Sequence, residues 1–279
     1  MVRAVHAALI GKFYLGRLEV YLSESCTVAH EAAYKCGYLH RDISPGNILI
    51  TSDDRFQGGL LIDWDLCKVM NSKVAEPPGR TVRIKYLSIH WVLMNWTEGT
   101  WQFIAADLVM DPKINHTFVR DLESAFYVVL WLSIKFLPNS WSASARRFVM
   151  SQLFNPDASS TEGSSSKRNW MRNAVSEIGR FKITGNEALH SLLYELAPLF
   201  QSRHMTTKPP DPPSATKYEN KFSKPKSSLY PSPEAIKDNS RHLDDYREVI
   251  QIFGNSLHEE VKWPDHDTAT KQDIPRIPL

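Results

Sequence analysis

The chain has 279 residues, of which 42% are hydrophobic and 23% are charged, with three cysteines and a formal net charge of +2. This length provides for one sizeable domain with a tail, and the nearly balanced charge argues against a nucleic-acid or membrane partner. The cysteines follow no disulfide or zinc-binding pattern, and neither a signal peptide nor a membrane span is evident, so we expect an intracellular protein, cytoplasmic or nuclear.

The first predicted element is a β-hairpin. Ile48–Thr51 and Gly59–Ile62 are short apolar runs, and the polar, glycine-containing segment Ser52–Gly58 separates them. Two such runs joined by a turn predict a pair of antiparallel strands. The hairpin would place Asn47 before its first strand and Asp63 after its second, on the same side of the molecule.

Two long helices are predicted further along the chain. Ala125–Leu137 is apolar nearly throughout, which indicates a helix that is buried on almost all sides and too short for a membrane span. The polar, Ser- and Gly-rich segment Asp157–Lys167 predicts a mobile loop. Apolar residues then return at helical spacing at Leu192, Leu193, Leu196, Leu199 and Phe200.

The C-terminal part divides into a linker and a helix. Residues 206–236 are rich in proline, lysine and serine, which predicts a disordered linker. We interpret its lysines as solvated linker charge, with a nuclear localisation signal as the alternative. Residues 237–279 would form a helix and a tail, and we expect the helix to pack on the preceding lobe. Its apolar residues at helical spacing are Leu243, Tyr246, Val249, Ile250, Phe253 and Leu257.

The strongest functional signal is the segment His40–Asn47, with the sequence HRDISPGN, followed after the hairpin by Asp63–Asp65. Phosphoryl transfer needs a carboxylate that accepts the proton of the attacking hydroxyl, and oxygen ligands that hold Mg²⁺ against the phosphates. Asp42 has the side chain for the first role, and Asn47 and Asp63 have the side chains for the second. A solvated Asp-rich turn explains any one of these residues, but it does not explain the ordered set.

The pattern H-R-D-x-x-x-x-N resembles the catalytic loop of eukaryotic-type protein kinases, and the chain is more closely similar to the fungal-type protein kinase family. Four segments carry the closer match, namely Tyr38–Ile50, Leu61–Leu66, Gly99–Ala105 and Asp121–Tyr127. The resemblance covers most of residues 1–205. It implies an α+β fold, a mainly helical protein-kinase-like C-terminal lobe with a small β-hairpin and no N-terminal lobe.

The resemblance also implies chemical roles. Asp42 would be the base, in a catalytic loop that includes His40 and Arg41. Asn47 and Asp63 would bind Mg²⁺, and ATP would be the phosphoryl donor. The activity would be phosphoryl transfer to Ser or Thr hydroxyls of a protein substrate, whose identity the sequence does not reveal, just as it reveals no regulatory partner.

Other positions either support or depart from this family pattern. The resemblance makes Asp121 a structural support that hydrogen-bonds to the backbone of the catalytic loop. Ser44 stands where many Ser/Thr kinases have Lys, and Asp65 stands where the metal-binding triplet usually ends in Gly. Ala105–Asp107 replaces the Ala-Pro-Glu that usually ends an activation segment.

The parts that hold ATP in a kinase were not found. Met1–Leu39 contains no G-x-G-x-x-G loop and no V-A-I-K lysine. The resemblance therefore implies a truncated fragment of a complete parent kinase, and we expect this chain to bind ATP weakly or not at all.

Two segments interrupt the resemblance, at about residues 12–28 and 82–96. The second is unusually hydrophobic for an activation loop. We interpret both as non-native, arising from translated introns or errors of gene prediction, with two genuine loop insertions as the alternative.

Two other functions stay open. Small-molecule kinases of the aminoglycoside-phosphotransferase type share His-x-Asp-x-x-x-x-Asn, although Arg41 and the segment Gly99–Asp107 favour the protein kinases. A non-catalytic pseudokinase or binding fragment would explain the missing ATP lid. The intact Asp42, Asn47 and Asp63 argue against that second alternative.

Overall fold

The computed structural model describes residues 26–53, 56–70, 100–111, 113–154, 161–205, 232–258 and 263–264. The strands in these ranges are β1 (Tyr38–Leu39), β2 (Ile48–Asp53), β3 (Phe56–Leu61) and β4 (Lys68–Val69). The helices are α1 (26–35), α2 (Ala106–Met110), α3 (Phe118–Phe136), α4 (Ala143–Leu153), α5 (Thr161–Met171), α6 (Ala174–Arg180), α7 (Glu187–His204), α8 (Pro233–Arg241) and α9 (Arg247–Leu257). The described chain is thus mainly helical with small antiparallel sheets, an α+β fold as expected.

The predicted hairpin is confirmed, with longer strands. β2 and β3 pair antiparallel, from Ile48 opposite Leu61 to Asp53 opposite Phe56. The prediction that Ser52–Gly58 forms the turn is therefore wrong, since only two residues separate the strands. Two-residue connections are the commonest in hairpins, and backbone pairing continues through polar residues and glycine here.

A second ladder, which the sequence did not predict, lies next to the hairpin. Tyr38 pairs with Val69, and Met70 N donates to Gly37 O at 2.8 Å. Strands of two residues show too little alternation to be recognised in a sequence. This ladder brings the chain that follows Asp63 alongside the chain that precedes His40.

Helix α3 forms the centre of the core. It begins at Phe118, before the predicted apolar run, and most of its residues are buried. Its neighbour α7 buries the five apolar residues that the sequence analysis selected, and the rings of Phe126 and Phe200 lie 5.3 Å apart. Among the described residues, no helix combines the length and apolar character needed to cross a membrane.

The prediction of a mobile loop over residues 157–167 is wrong for residues 161–167. Residues 161–167 belong to α5, and residues 157–160 lie outside the described residues. Lys167 is fully buried, and its Nζ donates to the carbonyl oxygens of Gln102 and Ile104 at 2.8 and 2.7 Å. The polar sequence of residues 161–167 did not show this helix, because the residue buried at position 167 is a lysine rather than an apolar one.

The predicted non-native segment 12–28 needs a correction at its end. Residues 26–28 are the first described turn of α1, and Cys26 and Thr27 are buried. The helix continues from them without interruption, so they belong to the fold. Residues 12–25 and 82–96 lie outside the described residues.

The described C-terminal residues form two helices, where the sequence predicted one. Residues 233–236, assigned to the linker by composition, begin α8, where the Ser232 hydroxyl accepts a hydrogen bond from Ala235 N and Pro233 occupies the first turn. Leu243 and Tyr246 are buried but precede α9, which starts at Arg247. Residues 206–231 of the linker prediction lie outside the described residues.

Helix α9 packs its apolar face on α7, as the sequence led us to expect. Phe253 is 1% exposed, and burial of a Phe side chain contributes about 1.5–3 kcal/mol. We therefore expect Phe253→Ala to lower the free energy of unfolding by at least that amount in a urea titration, because the cavity left behind adds to the lost burial. The solvent-exposed Gln251→Ala in the same helix serves as control. An unchanged urea midpoint with fast amide exchange through 247–257 would show that the helix is a free tail.

Candidate active site

His40 fixes the backbone of the loop 40–47, the candidate catalytic loop. This side chain is fully buried, its Nε2 lies 2.9 Å from Ile62 O, and its Nδ1 accepts from Asp42 N at 3.2 Å. Burial lowers the pKa of His40, which favours the neutral ring with one donor and one acceptor nitrogen. His40 thereby joins the loop to the residue that precedes Asp63.

Asp42 and Asn47 are joined within the loop. Asn47 Nδ2 donates to Asp42 O at 2.8 Å, and Asp42 is only 7% exposed. Ile62 N donates to Asn47 O at 2.9 Å, which places Asn47 beside the chain that leads into Asp63. The hairpin thus delivers Asn47 and Asp63 to one place, as predicted. The amide nitrogen of Asn47 is engaged with Asp42. The Oδ1 atom is therefore the part of the amide that can bind a ligand.

The triplet that contains Asp63 has an unusual backbone. Asp63 has φ 61°, in the left-handed region, and its side chain is exposed. Asp is among the few residues other than Gly that tolerate this conformation. The next residue, Trp64, donates from Nε1 to Leu61 O at 3.0 Å and packs edge-on against His40, with the ring centroids 4.5 Å apart. Trp64 therefore anchors the triplet, a role that sequence reasoning missed.

The side chain of Asp121 binds the backbone of the loop. It is fully buried in the first turn of α3, and its Oδ2 accepts from Arg41 N at 3.2 Å. Arg41 has φ 72°, a costly conformation for a residue other than Gly, and the bond to Asp121 helps to maintain it. This is the contact that the family resemblance implies.

Two histidines share the same carboxylate. His30 Nε2 lies 2.7 Å from Asp121 Oδ2, and His116 Nε2 lies 2.6 Å from Asp121 Oδ1. Burial alone would raise the pKa of Asp121, but the contacts with His116 and His30 outweigh burial and hold the pKa well below its usual range. Asp121 is therefore a charged acceptor with partners on both oxygens. Neither histidine carries a sequence signal that points to this contact.

A second buried carboxylate, Glu123, was missed by sequence reasoning. Its Oε1 accepts from Ala106 N at 2.9 Å and from the Tyr127 hydroxyl at 3.0 Å. Its Oε2 contacts Arg203 and accepts from His204 Nε2 at 3.0 Å. Burial acts to raise the pKa of Glu123, but His204 and Arg203 outweigh it and lower the pKa. A lone Glu within an apolar helix is the only signal that could have identified it.

The segment 102–107 is held by charged side chains of three helices. Lys167 of α5 binds the carbonyls of residues 102 and 104, and Glu123 of α3 binds Ala106 N. Asp107, which stands where the family pattern has Glu, pairs with Arg120 and Arg203 at 2.8 and 2.9 Å. The first turns of α3 therefore support both the loop 40–47 and this segment.

The candidate ligand set for a cation is small. Among the described residues, no group of three or more His, Cys, Asp or Glu side chains could hold a metal ion. Mg²⁺ usually binds through one or two carboxylates together with substrate phosphates, rather than in an all-protein cage. The Asp63 carboxylate and the Asn47 amide oxygen fit that kind of site.

The structure joins the loop 40–47, the β2–β3 hairpin, the triplet Asp63–Asp65 and helix α3 at one place. The model of the fungal protein kinase family matches residues 20–133. The resemblance to this family is thereby confirmed over a region that contains the loop 40–47, Asp63 and Asp121. The matched range also includes residues 20–28 and 82–96, and it ends within α3. No curated protein matches the chain.

Proposed function

We propose that this chain carries the catalytic lobe of a protein kinase that transfers a phosphoryl group from ATP to Ser or Thr hydroxyls with Mg²⁺. The observation that carries the proposal is the convergence of Asp42, Asn47 and Asp63. Asn47 Nδ2 donates to Asp42 O at 2.8 Å, and Ile62 N, from the residue before Asp63, donates to Asn47 O at 2.9 Å.

Asp42 is the base in this proposal. A positioned carboxylate orients the acceptor hydroxyl and takes its proton as the oxygen attacks the γ-phosphorus. The loop holds Asp42 by its backbone on both sides, through the bonds from its N–H to His40 Nδ1 and from Asn47 to its carbonyl. His40 and Arg41 act as positioning residues because their contacts fix the loop conformation.

Asn47 and Asp63 are the candidate ligands of the metal. Both present oxygen donors, which a hard cation such as Mg²⁺ prefers. When bound, the ion would neutralise charge on the phosphates of ATP. The exposure of Asp63 leaves its carboxylate accessible to a metal–nucleotide complex.

The decisive experiment joins a kinase N-terminal lobe, with its glycine loop and lysine, to this chain and measures phosphoryl transfer to a protein substrate. Asp42→Asn should reduce turnover about 10²- to 10⁴-fold and spare ATP binding, because it removes the proton acceptor but no phosphate contact. Asp63→Asn should instead weaken Mg²⁺-dependent ATP binding, measured by calorimetry.

Asp238→Asn is the control, since Asp238 is an exposed carboxylate of α8, outside the loop, the hairpin and the triplet. It should change neither quantity more than about twofold. A completed protein that binds no nucleotide would favour a binding fragment, and transfer to aminoglycosides rather than proteins would favour the small-molecule kinases. Full activity of the Asp42→Asn variant would refute the assigned mechanism.

A further inference from the structure

Tyr246 connects the C-terminal region to the support of the catalytic loop. It lies just before α9 and is only 3% exposed. Its hydroxyl is 2.6 Å from His30 Nδ1, a contact between residues 216 positions apart in the chain. The family match ends at residue 133, so this contact joins a residue outside the matched region to one within it.

Aromatic packing fixes the position of the Tyr246 hydroxyl. The ring stacks on Phe118 with centroids 4.8 Å apart and an interplanar angle of 26°. Tyr34 contacts the same ring, with the centroids 5.6 Å apart. The hydroxyl therefore points at His30 from a ring that is held on two sides by side chains of α3 and α1.

The contact has a defined effect on His30. A neutral imidazole carries one hydrogen, so a tyrosine that donates to Nδ1 leaves the hydrogen on Nε2. Burial raises the pKa of Tyr246, so its hydroxyl keeps its proton and remains a donor. His30 Nε2 can then donate to Asp121 Oδ2, 2.7 Å away, and the same oxygen accepts from Arg41 N.

We propose that Tyr246 is a positioning residue of the catalytic loop, which acts through His30 and Asp121 on the backbone of Arg41. The C-terminal segment is then part of the active-site scaffold rather than a separate tail. The loop is called catalytic on the strength of the proposed function. The positioning itself is a property of the folded chain and does not depend on catalysis.

The test compares Tyr246→Phe with the unchanged 279-residue chain. The variant keeps the ring and its stacking, so it removes only the hydroxyl. We expect amide exchange at Arg41 to become at least about tenfold faster, while exchange in the β2–β3 hairpin stays the same. Spectra of ¹⁵N-labelled histidine should still show the hydrogen of His30 on Nε2, because Asp121 accepts from that nitrogen, while the Nδ1 resonance shifts as it loses its hydrogen bond.

Tyr34→Phe is the matched control, because it removes a hydroxyl from a neighbouring ring of the same cluster. It should leave both signals unchanged. Unaltered exchange at Arg41 in the Tyr246→Phe variant would overturn the proposal, and so would an equal acceleration in all segments, which indicates general destabilisation. Because both measurements use the chain without ATP, a failure of phosphoryl transfer would count against the proposed function and not against this inference.

Discussion

Replacement of Glu123 by Gln should lower the free energy of unfolding by about 1.5–3 kcal/mol, the usual contribution of hydrogen bonds to a charged group, because Arg203 keeps Asp107 as a second partner. Glu123 is fully buried and receives contacts from α7 through Arg203 and His204. A neutral amide keeps the shape of the side chain but withdraws the negative charge that Arg203 and His204 face. It also turns a donor group toward at least one of them.

The Glu123 carboxylate should also make the stability of the folded chain sensitive to acid. The pKa of Glu123 is lower in the folded state than its usual value of about 4.3 in an unfolded chain. Its contribution to stability is therefore complete above about pH 4.3 and declines as the pH falls toward the folded-state pKa. The Glu123→Gln variant lacks this contribution at every pH, so its stability should differ less from that of the original chain in acid.

Urea titrations at pH 7 and pH 3.5 measure both effects. The control is Glu177→Gln, which alters an ion pair with the exposed Arg180 and should cost less than about 1 kcal/mol. Equal stability of the Glu123→Gln variant and the original chain at pH 7 would contradict the buried-charge argument.

The sequence could predict the parts of the site that are local. The loop 40–47 and the two strands of the hairpin lie within one short stretch, and their order alone brings Asn47 and Asp63 together. The buried helix α3 was also predictable, because an apolar run of that length is too long for a typical strand and indicates a buried helix. These features depend on residues that are close together in the chain, so a local sequence pattern can predict them.

The sequence could not predict contacts between distant polar residues. Tyr246 and His30 are 216 positions apart, and each would suit many other environments. For Lys167 the composition predicted exposure rather than burial, because lysine in a Ser-rich stretch is typical of an exposed loop. Its burial depends on two carbonyls more than sixty residues earlier in the chain.

Lys167 should make stability rise with pH above neutrality. The side chain is fully buried, and its Nζ lies 4.1 Å from the centre of the Tyr127 ring as well as within hydrogen-bond distance of the two carbonyls. Burial lowers the pKa of Lys167 to about 7, although Glu123 acts in the opposite direction. The pKa of a lysine in the unfolded chain is about 10.4.

The sign of the effect follows from proton binding. Between about pH 7 and 10.4 the unfolded chain holds a proton on Lys167 that the folded chain releases, so unfolding becomes less favourable as the pH rises. The slope from this one group approaches about 1.4 kcal/mol per pH unit. Below about pH 7 the lysine is protonated in both states, and the dependence ends.

Urea titrations from pH 6 to pH 9.5 should show this rise in the original chain and lose it in Lys167→Met, which keeps the length of the side chain without its charge. Lys182→Met is the control, since Lys182 is exposed and its loss should leave the slope unchanged. Parallel curves for the original chain and Lys167→Met would contradict the prediction. In the Glu123→Gln variant the rise should begin at a lower pH, because the negative charge that favours protonated Lys167 has been removed.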